Sequence, residues 1–530
     1  MVNLSFSKLL NIINPPMITL SISVFLTFQH LFTIGVTSYD PEENFAINCG
    51  FSGSGNFNFR DWTGDNDTIL FSLFEPHNHP SIPVDSPLHS TSVYQVPYST
   101  ARVSRYKFSY VFPVTHGHKF IRLHFFPASY PNFNRSNSLF SVRTGSYTLL
   151  KEFNASHTAD KDNNPQGTVS REYCMNVEPV QMLNLTFTPS STHPDAYAFI
   201  NGLEIVSMPN DLYYTETDGQ GLIPVGLNSQ MYPIENNTAL ETVYRINVGG
   251  SQILPEQDTG MFRNWDGDVP YVEEQHNQST PSGFGSKLKD NGQNDTAPDT
   301  VYLTARNYGK NATSKYNVTW QFEVDLGFFY MVRLHFCEFE QEIQKPGERV
   351  FQIFKADNLA ESHADVIMCT GGNLIPVYKD YVVSMFSKAS LKKLTLSVKL
   401  QPHPNEKLRA YNDVILTGIE IFKVNDSDGN LHGPNPNSSR STPQLSEPLR
   451  KSNKMNIVPI VVGVGSGVIL LSLIGFLIFG RLTIARNSRW GKSKSRKTDE
   501  SSLPLDLCRH FSIREIKAAA KNFDELSLLG

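Results

Sequence analysis

Short segments in which apolar and polar residues alternate recur along the first 424 residues of the chain. In KFIRLHFF, Ile121, Leu123 and Phe125 fall on one face of an extended strand, and LNLTFT (183–188) and LTLSVKL (394–400) follow the same period of two. Turn-forming segments such as SGSGN, NNPQG and KPGE separate them, and helical periods are scarce. The pattern predicts an all-β fold of antiparallel sandwiches.

The pattern occurs twice, because five segments of the first half return in the same order in the second half. The matched pairs are FAINCG (45–50) with YRINVGG (244–250), RDWTGD (60–65) with RNWDGD (263–268), TAR (100–102) with TAR (304–306), IRLHFF (121–126) with VRLHFC (332–337) and INGLEI (200–205) with LTGIEI (416–421). The offset grows from 199 (45 to 244) to 216 (200 to 416), as expected for one duplicated unit with loop insertions. Two copies are too few for a solenoid. We therefore predict two tandem β-sandwiches, domain A at 39–209 and domain B at 242–424, joined by a polar connector at 210–241.

Two apolar segments predict how the chain meets the membrane. The first, 17–28, is short and follows Lys8 near the N-terminus, which predicts a signal peptide over 1–38. The second, 457–480, holds 24 residues without a charge. A helix of this length reaches roughly 36 Å, enough to cross a hydrocarbon core of ~30 Å. This segment predicts one transmembrane helix.

Positive charge on the two sides of this helix predicts its orientation. Seven basic residues and no acid follow it over 481–497, whereas three basic residues precede it at 450–454. Because positive residues stay on the cytosolic side, we predict a single-pass plasma-membrane protein with an extracellular N-terminus. The low-complexity stretch 425–456 is then a stalk, and 481–530 is a cytosolic segment. The net charge of -5 gives no indication of a nucleic-acid partner.

Sequons for N-glycosylation are spread over the predicted extracellular part. Some of them arise by chance in a chain that is rich in Asn, Ser and Thr. Eleven asparagines stand in N-x-[ST] without proline and are candidate sites: Asn66, Asn134, Asn154, Asn184, Asn236, Asn277, Asn294, Asn311, Asn317, Asn425 and Asn437.

Four of the five cysteines also fall in the predicted extracellular part. They are Cys49, Cys174, Cys337 and Cys369, while Cys508 lies in the predicted cytosolic segment. An even number outside the cell allows two disulfides with three possible connectivities. Cys337 could equally be a buried free thiol, because it lies in the run RLHFCEF.

The spacing of acids and histidines indicates no catalytic or metal site. His116 and His118 share a turn and His124 follows, but no clustered acid or cysteine completes a metal site, which favours surface histidines. No pair of carboxylates is marked by a motif, as a glycosidase would need. Trp62 and Trp265 stand in the same R-x-W-x-G-D frame and could be sugar platforms, although a repeated frame favours a packing role. We expect no cofactor, no metal and no catalytic residue.

Several segments resemble plant receptor kinases of the FERONIA and THESEUS type, the Catharanthus receptor-kinase-like family. Besides the duplicated segments they are VYLTAR (301–306), GGNLIPVYKDYVV (371–383) and CRHFSIREIKAAAKNFDE (508–525). The resemblance implies paired malectin-like β-sandwiches, related to the carbohydrate-binding animal malectin. It also implies as partners a secreted cysteine-rich peptide of the rapid alkalinisation type, a GPI-anchored co-receptor and cell-wall pectin. It assigns no ligand contact to a residue of this chain.

The same family carries a Ser/Thr kinase inside the cell, and here the sequence departs from it. Residues 1–530 contain no kinase glycine loop, strand lysine, H-R-D or D-F-G segment, so we expect no ATP site and no enzyme activity in this chain. We expect a receptor-like protein, truncated before the kinase, that binds extracellular peptide or carbohydrate. The alternatives are a membrane-tethered lectin without signalling, or an incomplete fragment of a full receptor kinase. A G-x-x-x-G segment at 463–467 leaves a homo- or hetero-dimer open.

Overall fold

The computed structural model describes residues 39–433 apart from short gaps, at 58, 67–69, 88–94, 162–166, 180, 217–218, 220, 228–230, 274–278, 293–294, 310–316 and 388–391. These residues belong to the first of two compact units, Met1–Ser439; the second unit, Arg440–Gly530, lies outside the described residues. The predicted signal peptide, transmembrane helix, cytosolic segment and most of the stalk therefore lie outside them. No helix within the described part of the chain is long and apolar enough to cross a membrane.

The described part of the first repeat consists mainly of short strands whose side chains alternate between a core and solvent. In β12, for example, Leu183, Leu185 and Phe187 are buried while Asn184 between them is exposed. The strands are β1 (Asn44–Asn48), β2 (Ser54–Phe57), β3 (Arg60–Gly64), β4 (Ser72–Phe74), β5 (Ile82–Asp85), β6 (Thr100–Ser104), β7 (Phe108–Phe112), β8 (Gly117–Phe125), β9 (Leu139–Thr144), β10 (Tyr147–Asn154), β11 (Val169–Val177), β12 (Leu183–Pro189), β13 (Ala198–Ile200) and β14 (Gly202–Ser207).

The connector and the second repeat continue in the same way. Their strands, within the described residues, are β15 (Ile223–Val225), β16 (Leu240–Asn247), β17 (Asp266–Gly267), β18 (Val318–Asp325), β19 (Phe329–Phe336), β20 (Phe351–Lys355), β21 (Asn358–Ala364), β22 (Val377–Ser384), β23 (Lys393–Pro402) and β24 (Gly418–Val424).

Helices in the described residues are short. They are α1 (Gln95–Tyr98), α2 (Ala155–Lys161), α3 (Asp299–Tyr302) and α4 (Val366–Thr370), with 3-10 turns at Arg135–Asn137, Pro255–Gln257 and Glu406–Leu408. Local chemistry explains the bounds of α4. The Asp365 side chain accepts a hydrogen bond from the backbone N–H of Met368, and the helix ends at Gly371, whose φ of 76° suits glycine. The prediction of an all-β fold is confirmed for this part of the chain.

One large sheet runs through both repeats. Eleven of its twelve strands lie in the order β15-β22-β19-β24-β16-β11-β8-β14-β1-β3-β2, and β17 pairs with β16. A second sheet lies against each half of it, β10-β9-β12-β7-β4 in the first repeat and β18-β23-β20-β21 in the second. A smaller sheet, β13-β6-β5, belongs to the first repeat.

Each repeat encloses its own apolar core between its two sheets. In the first core Ile121, Leu123 and Phe125 of β8 are fully buried together with Leu185 of β12, so the predicted apolar faces of these strands are confirmed. In the second core Leu396, Val398 and Leu400 of β23 are buried, as the alternation in LTLSVKL predicts. Burying a side chain of this size contributes roughly 1.5–3 kcal/mol.

The two repeats meet edge to edge at β11 and β16. These strands pair antiparallel, with Glu172 opposite Thr242 and Cys174 opposite Leu240. Backbone hydrogen bonds therefore join the repeats into one sheet, in addition to the covalent link through the connector.

The connector, expected to be polar, is packed against this sheet. Leu212, Tyr213 and Ile234 are buried in a third apolar cluster that includes Phe120 of β8 and Phe422 of β24. β15 within the connector also pairs in parallel with β22. The composition of 210–241 is polar, but a short run at 212–214 together with Leu222 and Ile234 is buried in this cluster.

Candidate functional site at the junction of the repeats

Charged side chains of alternating sign form a row across the shared sheet, on the face opposite the two cores. Neighbouring strands in this row are in register, with Arg333 opposite both Asp380 and Glu420, and Arg122 opposite both Glu172 and Glu204. We call these residues the charge row: Asp380 (β22), Arg333 (β19), Glu420 (β24), Arg245 (β16), Glu172 (β11), Arg122 (β8), Glu204 (β14) and Arg60 (β3).

Ion pairs in the charge row cross the junction of the repeats. Nε of Arg122 lies 2.6 Å from Glu172, and its Nη1 lies 3.2 Å from Glu204. From the second repeat, Arg245 places Nη2 2.9 Å from Glu172 and Nε 2.7 Å from Glu420. Glu172 is therefore shared between one arginine of each repeat.

Burial and ion pairing act against each other on the carboxylates of the row. Burial alone would raise the pKa of Glu172, but Arg245 and Arg122 outweigh it and lower the pKa to about 2. At Glu420 the same burial is outweighed by the hydrogen bond from His335 and by the charge of Arg245, so its pKa is also lowered. Glu172 and Glu420 therefore stay ionised over the physiological pH range.

The connector and the start of the second repeat cover the charge row. Oη of Tyr213 donates a hydrogen bond of 2.7 Å to Glu420, and the Tyr213 ring lies 4.9 Å from the guanidinium of Arg333. Arg122 donates to the backbone carbonyl of Met261 at 2.8 Å. A ligand could reach these charges only by unpacking the connector. The row fixes the placement of the repeats and is not itself a binding surface.

Each repeat also buries a histidine between a glutamate and a tyrosine. In the second repeat Nδ1 of His335 lies 3.0 Å from Oη of Tyr302, and Nε2 lies 3.2 Å from Glu420. Burial lowers the pKa of His335, which favours the neutral ring. Such a trio could move a proton, but His335 is fully buried and cannot meet a substrate. His124, Tyr98 and Glu204 stand in the corresponding places of the first repeat.

The repeated tryptophans pack edge-on against these histidines. The ring centroid of Trp62 lies 6.1 Å from that of His124, and Trp265 lies 5.5 Å from His335. Trp62 is 8% exposed and Trp265 is fully buried. A sugar platform needs an open ring face, so the burial supports the packing role over the sugar-binding alternative.

The other duplicated motifs meet in a buried ion pair that sequence reasoning missed. Nε of Arg102, from the first TAR segment, lies 2.5 Å from Asp65, and Tyr110 donates to the same carboxylate at 2.7 Å. In the second repeat Arg306 lies 2.7 Å from Asp268. The available signal was the repetition of an Asp and an Arg, of opposite charge, in both copies.

Three carboxylates surround one arginine beneath the loops of the second repeat. Nη1 of Arg349 lies 2.6 Å from Glu338, and its Nη2 lies 2.7 Å from Glu340 and 2.9 Å from Asp413. One positive charge cannot balance three negative ones. Burial raises the pKa of Glu338 to about 7 against the opposing charge of Arg349, and burial also raises the pKa of Asp413. The cluster therefore binds a proton in the neutral range.

A shallow cleft opens beside α4 in the second repeat. It encloses about 230 Å³ of space that is open to solvent, and its lining includes Phe336, Ile353, Cys369, Val377 and Lys379. The enclosed volume that can be compared with known pockets is only about 10 Å³, room for roughly one water molecule and far below the roughly 300 Å³ at which small-molecule pockets begin. The cleft therefore does not hold a small-molecule ligand.

The histidines do not form a metal site in the described part of the chain, where no group of three or more His, Cys, Asp or Glu side chains is placed to hold an ion. His116 is exposed as expected. The expectation of a surface position is wrong for His118, which is 4% exposed and stacks on Tyr214 with ring centroids 3.7 Å apart. Its Nε2 lies 3.0 Å from Oδ1 of Asn236, and burial lowers its pKa. The connector, which supplies Tyr214, explains the difference.

The two disulfides that the cysteine count allows are not formed among the described residues, where Cys49, Cys174, Cys337 and Cys369 are free thiols. Cys49 lies in the first core, Cys174 in the cluster under the connector and Cys337 in a fourth cluster beside Trp265. Cys369 is exposed. Cys337 is a buried free thiol, which was one of the two alternatives that its sequence context allowed.

The sequons differ in how their asparagines are placed. The side chains of Asn66, Asn134, Asn184 and Asn236 are exposed. The side chains of Asn154, Asn317 and Asn425 are half-buried. Asn277, Asn294, Asn311 and Asn437 lie outside the described residues.

Comparison with known proteins relates the whole of this arrangement to one family. The malectin-like domain family matches residues 47–424. The chain is 41% identical to the receptor-like protein kinase FERONIA of Arabidopsis thaliana over 536 residues, which cover 94% of this chain and 58% of FERONIA. It is 34% identical to the receptor-like protein kinase ANXUR2 of the same plant over 490 residues, covering 84% of this chain and 54% of ANXUR2. The chain thus spans somewhat more than half the length of these relatives.

Solved structures match the same part of the chain. The crystal structure of the plant receptor-like kinase FER aligns with a TM-score of 0.66 at 41% identity, covering 74% of this chain and 99% of FER. A crystal structure of the plant peptide RALF23 in complex with FER and LLG2 aligns with a TM-score of 0.66 at 41% identity, covering 75% and 99%. The ANXUR2 extracellular domain from Arabidopsis thaliana aligns with a TM-score of 0.68 at 33% identity, covering 75% and 100%.

Proposed function

Because the chain belongs to the malectin-like domain family, we propose that its two fused sandwiches are the ligand-recognising part of a plasma-membrane receptor. The proposed ligand is a secreted cysteine-rich peptide of the rapid alkalinisation type, held together with a GPI-anchored co-receptor. The observation that carries the proposal is the 41% identity to FER, which was crystallised with RALF23 and LLG2. The chain spans 58% of FERONIA, so the kinase activity in that relative's name is not carried over.

The shared sheet supports this proposal because it gives the receptor a rigid surface. Backbone pairing at β11 and β16 and the ion pairs of Glu172 with Arg122 and Arg245 hold the two repeats together. A partner that contacts both repeats then loses little conformational entropy on binding, which favours affinity.

Peptide binding by the purified full-length chain tests the proposal. We expect RALF23 to bind in the presence of LLG2, and a peptide of the same composition in scrambled order not to bind. Omitting LLG2 should weaken the binding. If RALF23 with LLG2 binds no better than the scrambled peptide, the chain is not a receptor for this peptide class.

The alternative is a membrane-tethered lectin that binds pectin or another polysaccharide. With Trp62 and Trp265 buried, such a lectin would need to bind sugar through other side chains. This alternative would be favoured if the chain bound pectin oligosaccharides saturably and did not bind RALF23 in the presence of LLG2. Binding of both ligands would make the carbohydrate a second ligand of the receptor.

Membrane attachment and the absence of phosphoryl transfer complete the proposal. Residues 457–480 would span the membrane once, with 481–530 in the cytosol and the sandwiches outside. A tag placed after 497 should be reached by antibody only in permeabilised cells. We also propose that residues 1–530 bind no nucleotide, so Mg-ATP should not shift the melting temperature of the chain. A tag reached in intact cells would contradict the topology, and a shift with ATP would contradict the second claim.

A further inference from the structure

A phenylalanine in the left-handed backbone conformation precedes the repeated R-x-W-x-G-D segment in both repeats. Phe59 has φ of 59° and Phe262 has φ of 58°. The segments that follow are equivalent in space, because β3 pairs in parallel with β1 as β17 pairs in parallel with β16. Phe59 and Phe262 are therefore the same residue of the ancestral unit, seen in two environments.

In the second repeat the ring of this phenylalanine is covered by an arginine side chain of the first repeat. The guanidinium of Arg60 lies over the ring of Phe262, 4.3 Å from its centroid. Nη1 of Arg60 is also 2.5 Å from Glu204. Phe262 itself packs on the apolar cluster under the connector. The turn thus holds the guanidinium between a ring face and a carboxylate, a geometry that suits arginine better than lysine.

In the first repeat the same turn faces solvent. Phe59 is 83% exposed, and Phe51 and Phe57 beside it in the sequence are 37% and 43% exposed. β2, which carries Phe57, is the last strand in the order of the shared sheet. Phe57 and Phe59 flank the turn between β2 and β3, and Phe51 precedes β2. Exposed apolar side chains grouped in this way indicate a contact surface.

Among the residues that the structure describes, no arginine lies over Phe59 as Arg60 lies over Phe262. The residue equivalent to Arg60 is Arg263, which is fully buried and lies 2.9 Å from Asp258, with a further hydrogen bond of 3.1 Å to Oη of Tyr213. The R-x-W-x-G-D frames differ at two positions, with Asp61 and Thr63 in the first repeat where the second has Asn264 and Asp266. Asp61 is exposed, and its Oδ1 accepts a hydrogen bond of 2.7 Å from Asn56. The first turn therefore offers an open ring and an exposed carboxylate.

We propose that Phe59 and Asp61 form a docking point for an arginine side chain presented by a partner protein or peptide, with Phe51 and Phe57 as its apolar border. The partner's guanidinium stacks on Phe59, as Arg60 stacks on Phe262, and pairs with Asp61. The proposal rests on the comparison of the two repeats within this chain and does not depend on the proposed peptide ligand.

Binding of labelled hexa-arginine and hexa-lysine peptides to the purified full-length chain tests this docking point at physiological ionic strength. The two peptides carry equal charge, so a preference for arginine isolates the guanidinium. We expect tighter binding of hexa-arginine, and Phe59→Ala should raise its Kd about threefold to tenfold, to the level of hexa-lysine. Asp61→Asn should weaken both peptides, because it removes a charge that both can meet.

Phe74→Ala is the matched control, because Phe74 is 61% exposed on β4 of a different sheet. It should leave both Kd values unchanged. The melting temperature of Phe59→Ala should equal that of the unmodified chain, since an exposed ring contributes little to folding. Equal affinity for the two peptides, no binding of either, or no effect of Phe59→Ala in a folded chain would each overturn the proposal.

Discussion

Arg245 of the second repeat lies 2.9 Å from Glu172 of the first, across the strand pair at which the repeats meet. Thr242, which is opposite Glu172 in the register, donates a hydrogen bond of 2.7 Å to the same carboxylate. The junction therefore depends on one glutamate whose partners come from both repeats.

Removing Arg245 should destabilise the chain strongly. Arg245→Met leaves Glu172 and Glu420 without their shared cation in a buried setting, and breaking a buried pair costs about 3–5 kcal/mol. Urea unfolding followed by tryptophan fluorescence measures this loss, since Trp265 lies near the junction with its ring 5.8 Å from Arg245. A loss below ~1 kcal/mol would mean that water enters the row and screens it.

Arg105→Ala is the control for this experiment. Arg105 and Asp195 form a surface pair at 3.5 Å, with side chains 41% and 74% exposed. Exposed pairs contribute about 0–1 kcal/mol because water and salt screen them. Arg105 also donates to the backbone carbonyls of Asp195 and Asn132, so the loss measured for Arg105→Ala is an upper bound on the contribution of this exposed pair.

The carboxylate cluster around Arg349 should make stability fall as pH rises. The pKa of Glu338 is raised from 4.5 to about 7 in the folded chain, so between these values the unfolded chain loses a proton that the folded chain keeps. This contribution is complete below pH 4.5 and is lost by about pH 7, a change on the order of 3 kcal/mol. Glu338→Gln cannot ionise, so its unfolding free energy should vary less over this range.

The comparison needs a control at an exposed glutamate. Glu323 is 69% exposed, and Glu323→Gln should keep the pH dependence of the unmodified chain. Burial also raises the pKa of Asp413, so the unfolding free energy of Glu338→Gln should still fall with pH, but less steeply than that of the unmodified chain. Identical pH profiles for Glu338→Gln and the unmodified chain would show that Glu338 is ionised throughout.

The strands and the duplication could be predicted because alternation follows directly from strand geometry. Ile121, Leu123 and Phe125 face the first core as their period of two requires. Alternation does not tell what lies against the opposite face. Polar positions of a strand usually face solvent, yet Arg122 is buried because the connector and Met261 of the second repeat cover that face.

The charge row could not be predicted because it depends on register between strands distant in the sequence. Glu172 and Arg245 are 73 residues apart and meet only through the pairing of β11 with β16. A signal was nevertheless present. Both repeats keep one glutamate inside an otherwise apolar strand, Glu204 in INGLEI and Glu420 in LTGIEI. A charge retained in both copies of a buried strand indicates a partner within the fold.

Glycosylation should follow the exposure of the asparagines. Asn184 is exposed near the start of β12, so Asn184→Gln should remove one glycan in mass spectrometry and change the free energy of unfolding by less than about 0.5 kcal/mol. Asn425 accepts a hydrogen bond of 2.7 Å from the backbone N–H of Ala239, so Asn425→Gln should cost about 1 kcal/mol. An unmodified Asn184 in protein secreted by plant cells would contradict the first expectation.

Replacing Lys355 should stabilise the second repeat. Its side chain is fully buried, and within the described residues its Nζ has no hydrogen-bond partner. It lies 3.2 Å from the centroid of the Tyr381 ring. Burial lowers the pKa of this amine well below 10.5, so the folded chain resists its protonation.

Lys355→Met keeps most of the side-chain volume and removes the unsatisfied amine, which should raise the unfolding free energy by about 1–3 kcal/mol. The unfolded chain binds this proton more readily than the folded one, so the stability of the unmodified chain rises with pH toward 10.5. The advantage of the variant should therefore be larger in mildly acidic buffer than in alkaline buffer. Lys399→Met, at a half-buried lysine 4.5 Å from the ring centroid of Phe354, should show neither effect. If Lys355→Met destabilises the chain at all pH values, the contact of the ammonium with Tyr381 outweighs its burial, and the amine is charged in the folded protein.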